Sequence, residues 1–307
     1  MMISGFSMAA VLNHCSGLWK FVVARFSGAY PIYALSLAVS AVLIVYGRPP
    51  SYSINQAQFV ANLTMCQSWL GVPDIDGVYW IVAPILKFYI LVGIGVLVGF
   101  RNRVQWFAIG YLVVAVAWQV ASRLDLNTPD QLGGALNSQF AHLFIVGMLA
   151  WCITTHGASF LRTLAVMACF GLEAANIKMP MVSAIVVILM LVCCFRNYLP
   201  FLKFVGFRAI GRCAHAAYMV HGVVAYVIMN YLFGTMPLPA LVLLTFMVVF
   251  VAANAITQFM KPFSDMIYRH YFPRVKQYRI VGESRFEREP FEGVQGVTDW
   301  RQTMTIE

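Results

Sequence analysis

Few side chains in this sequence can do chemistry inside an apolar setting: Arg25, Lys87, His142, Glu173 and His221. Ionisable groups within membrane spans are costly and are functional candidates by default. Lys87 falls about halfway along an apolar run, three residues after Pro84, where it either snorkels or lines a polar cavity. His142 falls near the outer end of its run, and His221 toward the inner part of its own. A lone histidine in a helical bundle more often makes an interhelical hydrogen bond than performs catalysis. Arg25 stands where a short link meets the second run, close to Tyr30 and Pro31. A permanent charge there can hold a phosphate of a nucleotide-like donor, or serve as one more anchor at the membrane surface. Trp69, Tyr79, Trp80 and Tyr89 fall in or near the outer half of the bilayer, where amphipathic aromatics collect. The spacings contain no Ser-His-Asp set, metal-ligand cluster, close carboxylate pair, phosphate-binding GxxxxGK[ST] loop or HExxH pair. These residues alone do not separate an enzyme from a transporter.

The elements that must position them are membrane helices. Of 307 residues, 61% are hydrophobic and 11% charged, with a mean hydropathy of +0.75. A soluble domain carries about 25% charged residues, so a water-soluble enzyme, a disordered chain and a disulfide-stapled secreted domain are excluded. The expected fold is all-α, a polytopic helix bundle. Cys152, Cys169, Cys193 and Cys194 lie inside apolar runs and read as small core hydrophobes. Nine candidate spans emerge: 1–14, 29–47, 78–100, 104–122, 138–155, 159–175, 179–195, 215–234 and 238–260. The first is short for a crossing and the sixth marginal.

The net charge of +9 is distributed by side. With residues 15–28 in the cytoplasm, 17 of the 21 basic residues share that side, among them Lys20, Arg25, Arg101, Arg103, Arg162, Arg196, Lys203, Arg208 and Arg212. The outer side holds Arg48, Arg123 and Lys178, and Asp74, Asp76, Asp125 and Asp130 fall there too. Positively charged loops stay cytoplasmic, so the bias sets the orientation and speaks for lipid, not nucleic acid, as the source of the charge. It also starts Met1 on the outer side with no basic flank, so the chain is expected to enter within a helix, with one preceding helix upstream. The plainer alternative is a short re-entrant segment.

The outer connection 48–77 is the longest between spans. Its residues 54–66 bring Ile54, Phe59, Leu63 and Cys66 to one face at helical spacing, which predicts a helix lying in the interface. Asn62-Leu63-Thr64 matches the glycosylation triplet, a pattern common by chance. Two regions result: a membrane domain over 1–260, and a charged cytoplasmic tail over 261–307 broken by Pro262, Pro273 and Pro290.

Several segments, in order, resemble the acyltransferase 3 family of multi-spanning membrane acyltransferases. Ile3-Ser4-Gly5-Phe6 resembles the family's second-helix "F-x-I-S-G-F", and Arg25 to Pro31 its "R-x-x-R-I-Y-P" turn. Asn62-Leu63-Thr64, Gly77-Val78-Tyr79-Trp80 and Phe88-Tyr89 resemble "N-L-T … G-x-x-W-[ST]-L-x-x-E-x-x-F-Y". Phe144 to Met148 is similar to "F-x-x-G-M", and Gly211 with Tyr218 to His221 to "G-x-x-S-Y-x-x-Y-L-x-H". The resemblance implies ten core helices and transfer of an acyl group, commonly acetyl, from acyl-CoA to a hydroxyl of an envelope glycan or lipid-linked acceptor, in a bacterial inner membrane with no resident cofactor or metal. Arg25 is then the donor contact, and Trp80, Lys87 and Tyr89 line the acceptor site or cavity. The family's base, a first-helix histidine, has no counterpart, which leaves His221 as the substitute and this polypeptide expected to be weak or inactive. The family's second arginine is Gly28, its glutamate falls at Ile85, and its late Ser-Tyr pair is Ala214-His215. The alternative is a transporter or export partner for a lipid or glycan, with Lys87 and the outer aromatics along its path.

Overall fold

The computed structural model describes residues 1–12, 17–124, 126, 129–175, 180–195, 204–271, 276–280 and 283–287. Asp125, Lys178, Arg196, Lys203, Arg274, Arg288 and Arg301 lie outside these, as do the side chains of Arg101, Asp130, Cys193, Cys194 and Arg208. In chain order the helices are α1 (Met2–Leu12), α2 (Leu18–Gly47), α3 (Gln56–Leu63), α4 (Val82–Leu97), α5 (Val104–Arg123) and α6 (Asp130–Ala135). Then follow α7 (Ala141–His156), α8 (Phe160–Ala175), α9 (Pro180–Phe195), α10 (Val205–Leu232) and α11 (Leu238–Tyr271). A 3₁₀ segment, Gly77–Ile81, leads into α4, and strands β1 (Lys276–Ile280) and β2 (Glu283–Glu287) pair antiparallel in the tail.

Five helices among the described residues are long and apolar enough to cross a bilayer, not nine: α2, Gly77–Leu97, α5, Ala209–Leu232 and α11. The chain is an integral membrane protein by these helices. Four expected spans are shorter. α7, α8 and α9 have 16 residues each and α1 has 11. Sixteen residues rise about 24 Å, short of a hydrocarbon core about 30 Å thick.

The reason an apolar run need not span shows best in α7. Ala141, His142 and every residue from Phe144 to Cys152 are buried, and α7 packs against α1, α5, α8 and α9. A helix apolar all round is the interior of a bundle. Its contact with α1 runs backbone to backbone. A Cβ on Gly5 would lie 2.0 Å from the Phe144 carbonyl oxygen, and one on Gly147 2.0 Å from that of Met2. Small residues admit such close crossings, and dispersion then holds the pair. A second group, α2, α10 and α11, meets over Cys213, Ala216, Val220, Val249 and Ala253. As expected of core cysteines, Cys152 and Cys169 are 2% and 0% exposed.

Three further expectations change. Helix α2 begins at Leu18, so residues 18–28 are helix and not a link, and Arg25 stands two turns inside it. Gly28 and Pro31 do not interrupt it: Pro31 forgoes one backbone bond within a 30-residue helix. In the same way α11 runs through Pro262 to Tyr271. Helix α3 turns its apolar face to protein. Its apolar face, Phe59 and Leu63 with Ile54 and Met65 beside it, packs on the cluster of Tyr33, Leu37, Tyr79 and Val223. The outer connection therefore folds back along α2. Tyr33, which bonds Asn62, is fourteen residues from the α2 end at Gly47, about 21 Å along the axis.

Candidate functional site

Where the amino-terminal half of α2 passes α4, an apolar groove of about 390 Å³ opens, lined by Phe21, Phe26, Tyr30, Met65, Tyr89 and Ile94 among others. Arg25 is its one charged lining residue. Gly93 widens it, since a Cβ there would already be 3.3 Å from Leu18. The guanidinium is held from one side. Nη1 donates to Ser7 Oγ at 3.0 Å and Nη2 to the Ser7 carbonyl at 3.2 Å. Its carbon lies 5.9 Å from the centre of the Tyr89 ring, a cation–π distance. Nε is buried with no hydrogen-bond partner, and no carboxylate among the described residues pairs with the group. A cation left partly unsatisfied in apolar walls suits a ligand with an anionic end and an aliphatic body.

Above the groove the chemistry is the reverse. Tyr30 donates to the Leu63 carbonyl at 3.2 Å and Tyr33 to that of Asn62 at 2.7 Å. The Asn62 amide donates to the carbonyls of Gln58 and Pro73 and accepts from Ile75 N–H. Fully buried and so bonded, Asn62 is a structural hub, which disposes of the glycosylation triplet. Asp76 caps the 3₁₀ segment by accepting from Val78 N–H at 3.3 Å, and accepts from Val223 N–H of α10 at 2.8 Å. Gly222 makes room for it: a Cβ there would sit 2.3 Å from the carboxylate. Burial pushes the Asp76 carboxyl above the ordinary range, against the two N–H bonds and the nearby His221.

His221 consequently faces the outer connection and not the inner part of its helix. Its Nδ1 lies 2.7 Å from the Tyr218 carbonyl, so Nδ1 donates and Nε2 is the acceptor on an exposed ring. Tyr218 is hydrogen-bonded to Trp80, whose ring lies 5.6 Å from that of Phe140.

The site residues expected from the sequence thus divide. Arg25 and Tyr89 meet in the groove. Trp80 joins His221 near Asp76, beyond the Tyr33–Tyr79 pair, whose rings are 5.5 Å apart. Lys87 belongs to neither, its Nζ lying 4.0 Å from where a Cβ on Gly134 would be. His142 bonds Glu173 across α7 and α8 at 2.8 Å, the interhelical bond expected of it. The roles of Ser7, Asn62 and Asp76 were missed at the level of sequence, although Asn62 stood in the Asn62-Leu63-Thr64 motif and Asp76 offered an N-cap just before Gly77-Val78-Tyr79-Trp80. No group of His, Cys, Asp and Glu among the described residues is arranged to hold a metal.

No family model, curated protein or solved structure matches the chain.

Proposed function

We propose that this chain is a membrane acyltransferase of the kind its motifs resemble, taking an acyl group, acetyl in the first instance, from acyl-CoA to a hydroxyl of an envelope glycan or lipid-linked acceptor. In this reading it sits in a bacterial inner membrane. The observation that carries the reading is the Arg25 groove: an apolar channel with a single, incompletely satisfied guanidinium. The aliphatic part of the donor lies along Phe21, Phe26 and Ile94 while its anionic part meets Arg25. Nothing comparable favours the transport reading, because Lys87 and the aromatics do not share a path.

On the acceptor side, His221 Nε2 takes the hydroxyl proton. The acceptor oxygen bonds to the acyl carbonyl carbon, the carbon–sulfur bond breaks, and the CoA thiolate leaves. Attack and C–S cleavage occur at one carbon, so the thioester end of the donor must reach from the Arg25 groove to the His221 side, alongside the buried Tyr33–Tyr79 pair. The test is labelled acetyl-CoA given to the full chain in liposomes with isolated envelope glycan. Saturable binding should fall in Arg25→Ala. Transfer should be lost in His221→Gln while binding stays. Equal donor binding in Arg25→Ala would overturn the donor site, and undiminished transfer in His221→Gln would remove that base.

A further inference from the structure

A second cavity, of about 250 Å³, opens where the ends of α5, α7 and α8 meet, lined by Arg103, Gln105, Trp106, Trp151, His156 and Arg162 with their neighbours. Its lining carries two arginines and a histidine and no carboxylate. Arg162 is fixed in place. Its Nε donates to Gln105 Oε1 at 2.8 Å, and Nη1 donates to the carbonyls of His156 and Gly157. Its Nη2 makes no hydrogen bond to a described residue. The Arg103 side chain is exposed and likewise has no protein partner among the described residues. The 20-residue α5 starts at this spot without a side-chain cap, so its positive end adds to the same field.

The surroundings are apolar in a way a free ion would not need. Trp106, which lines the cavity, is 56% exposed, and Trp151 stands beside it. Amphipathic indoles sit at headgroup level, and basic pockets between helices on the cytoplasmic side hold lipid phosphates. The inside-positive distribution puts Arg103 and Arg162 on that side. We propose that this cavity binds the phosphate headgroup of an anionic membrane lipid, with the acyl chains leaving past the exposed Trp106. The proposal does not rest on the acyl-transfer reading.

The test uses the purified full chain in neutral detergent, with bound lipid followed by native mass spectrometry. Short-chain phosphatidylglycerol should be retained at about tenfold lower concentration than phosphatidylcholine of the same chains. Arg103→Ala should bring the two lipids level. Because Arg162 also ties the α7–α8 connection, Arg162→Lys is read only beside a melting temperature, and Arg103→Ala carries the decision. Equal retention of both lipids by the unaltered chain, or full preference kept in Arg103→Ala, would overturn the proposal. Competition by inorganic phosphate separates the sources. Failure of millimolar phosphate to displace the lipid supports the lipid site, and displacement as complete as that by excess phosphatidylglycerol would reassign the cavity to free phosphate.

Discussion

The groove at Arg25 and the folded-back outer connection lie on the same helix, yet they treat polar groups in opposite ways. Around Asn62 and Asp76 the amide and carboxylate oxygens have bonding partners, and the bonds from Ile75 and Val223 N–H are buried. Around Arg25 one donor is left over in apolar walls. Irregular backbone can lie at membrane depth only if it is buried in protein or lines a water-filled cavity, and a connection whose Asn62 and Asp76 are paired, with Gln67 Oε1 its one buried oxygen lacking a partner among the described residues, meets that condition. A polar group left unsatisfied beside open space is better suited to a ligand. The first region should therefore govern stability and the second binding, and substitutions can be chosen to break or sharpen that division.

The largest effect is expected at Gly222. An alanine there would push its Cβ into the Asp76 carboxylate, displacing it from Val223 N–H and from the start of the 3₁₀ segment. Leaving such groups buried and unpaired costs about 3 kcal/mol. Thermal unfolding in detergent should show a large loss, while the folded fraction keeps its affinity for acyl-CoA. Next comes Asn62→Ala, which leaves the Ile75 N–H without its partner and takes one donor from the Pro73 carbonyl, at a cost of about 2 kcal/mol. It too should lower the melting temperature and leave donor binding alone. A loss of binding without loss of stability in either variant would erase the division.

Arg25→Ala should do the opposite. Removing a charge-assisted contact is expected to weaken acyl-CoA binding by about tenfold or more, with little change in melting temperature. Arg25→Lys should recover part of the loss, because an ammonium cannot bond Ser7 through a planar fork and stack on Tyr89 together. Equilibrium binding of labelled donor to the three proteins checks the order.

How much of this was legible depended on what each residue reports. Composition announced the membrane, and apolar runs located α5, α10 and α11 well. Apolarity does not distinguish burial in lipid from burial in protein, so α7, the hub of one helical group, was read as a span. Arg25 was singled out by its charge and its motif, but its partner Ser7 carries no sequence mark. Asn62 and Asp76 sat in a connection whose apolar face predicted an interfacial helix, and that same face packs on Tyr33 and Tyr79 instead. Gly222 lies in an apolar helix where glycine is ordinary, so its need to admit a carboxylate becomes visible only with the two segments side by side.

The smallest expected effect separates the buried carboxylate from all the rest. Burial raises the Asp76 carboxyl in the folded protein, more than its bonds from Val223 and Val78 lower it. The folded state thus holds that proton more tightly than the unfolded state does. The resulting stabilisation is complete below the range of an ordinary carboxyl and is lost as pH rises through the raised value. Other groups of the chain titrate as well, so the comparison must be a difference. Asp76→Asn removes the titration while keeping one acceptor. The melting temperature of the unaltered chain should fall with rising pH more steeply than that of Asp76→Asn over this interval, and the two curves should run parallel above it. Parallel curves throughout would mean that Asp76 is ionised in the fold as freely as in water, and that its two N–H bonds fully offset its burial.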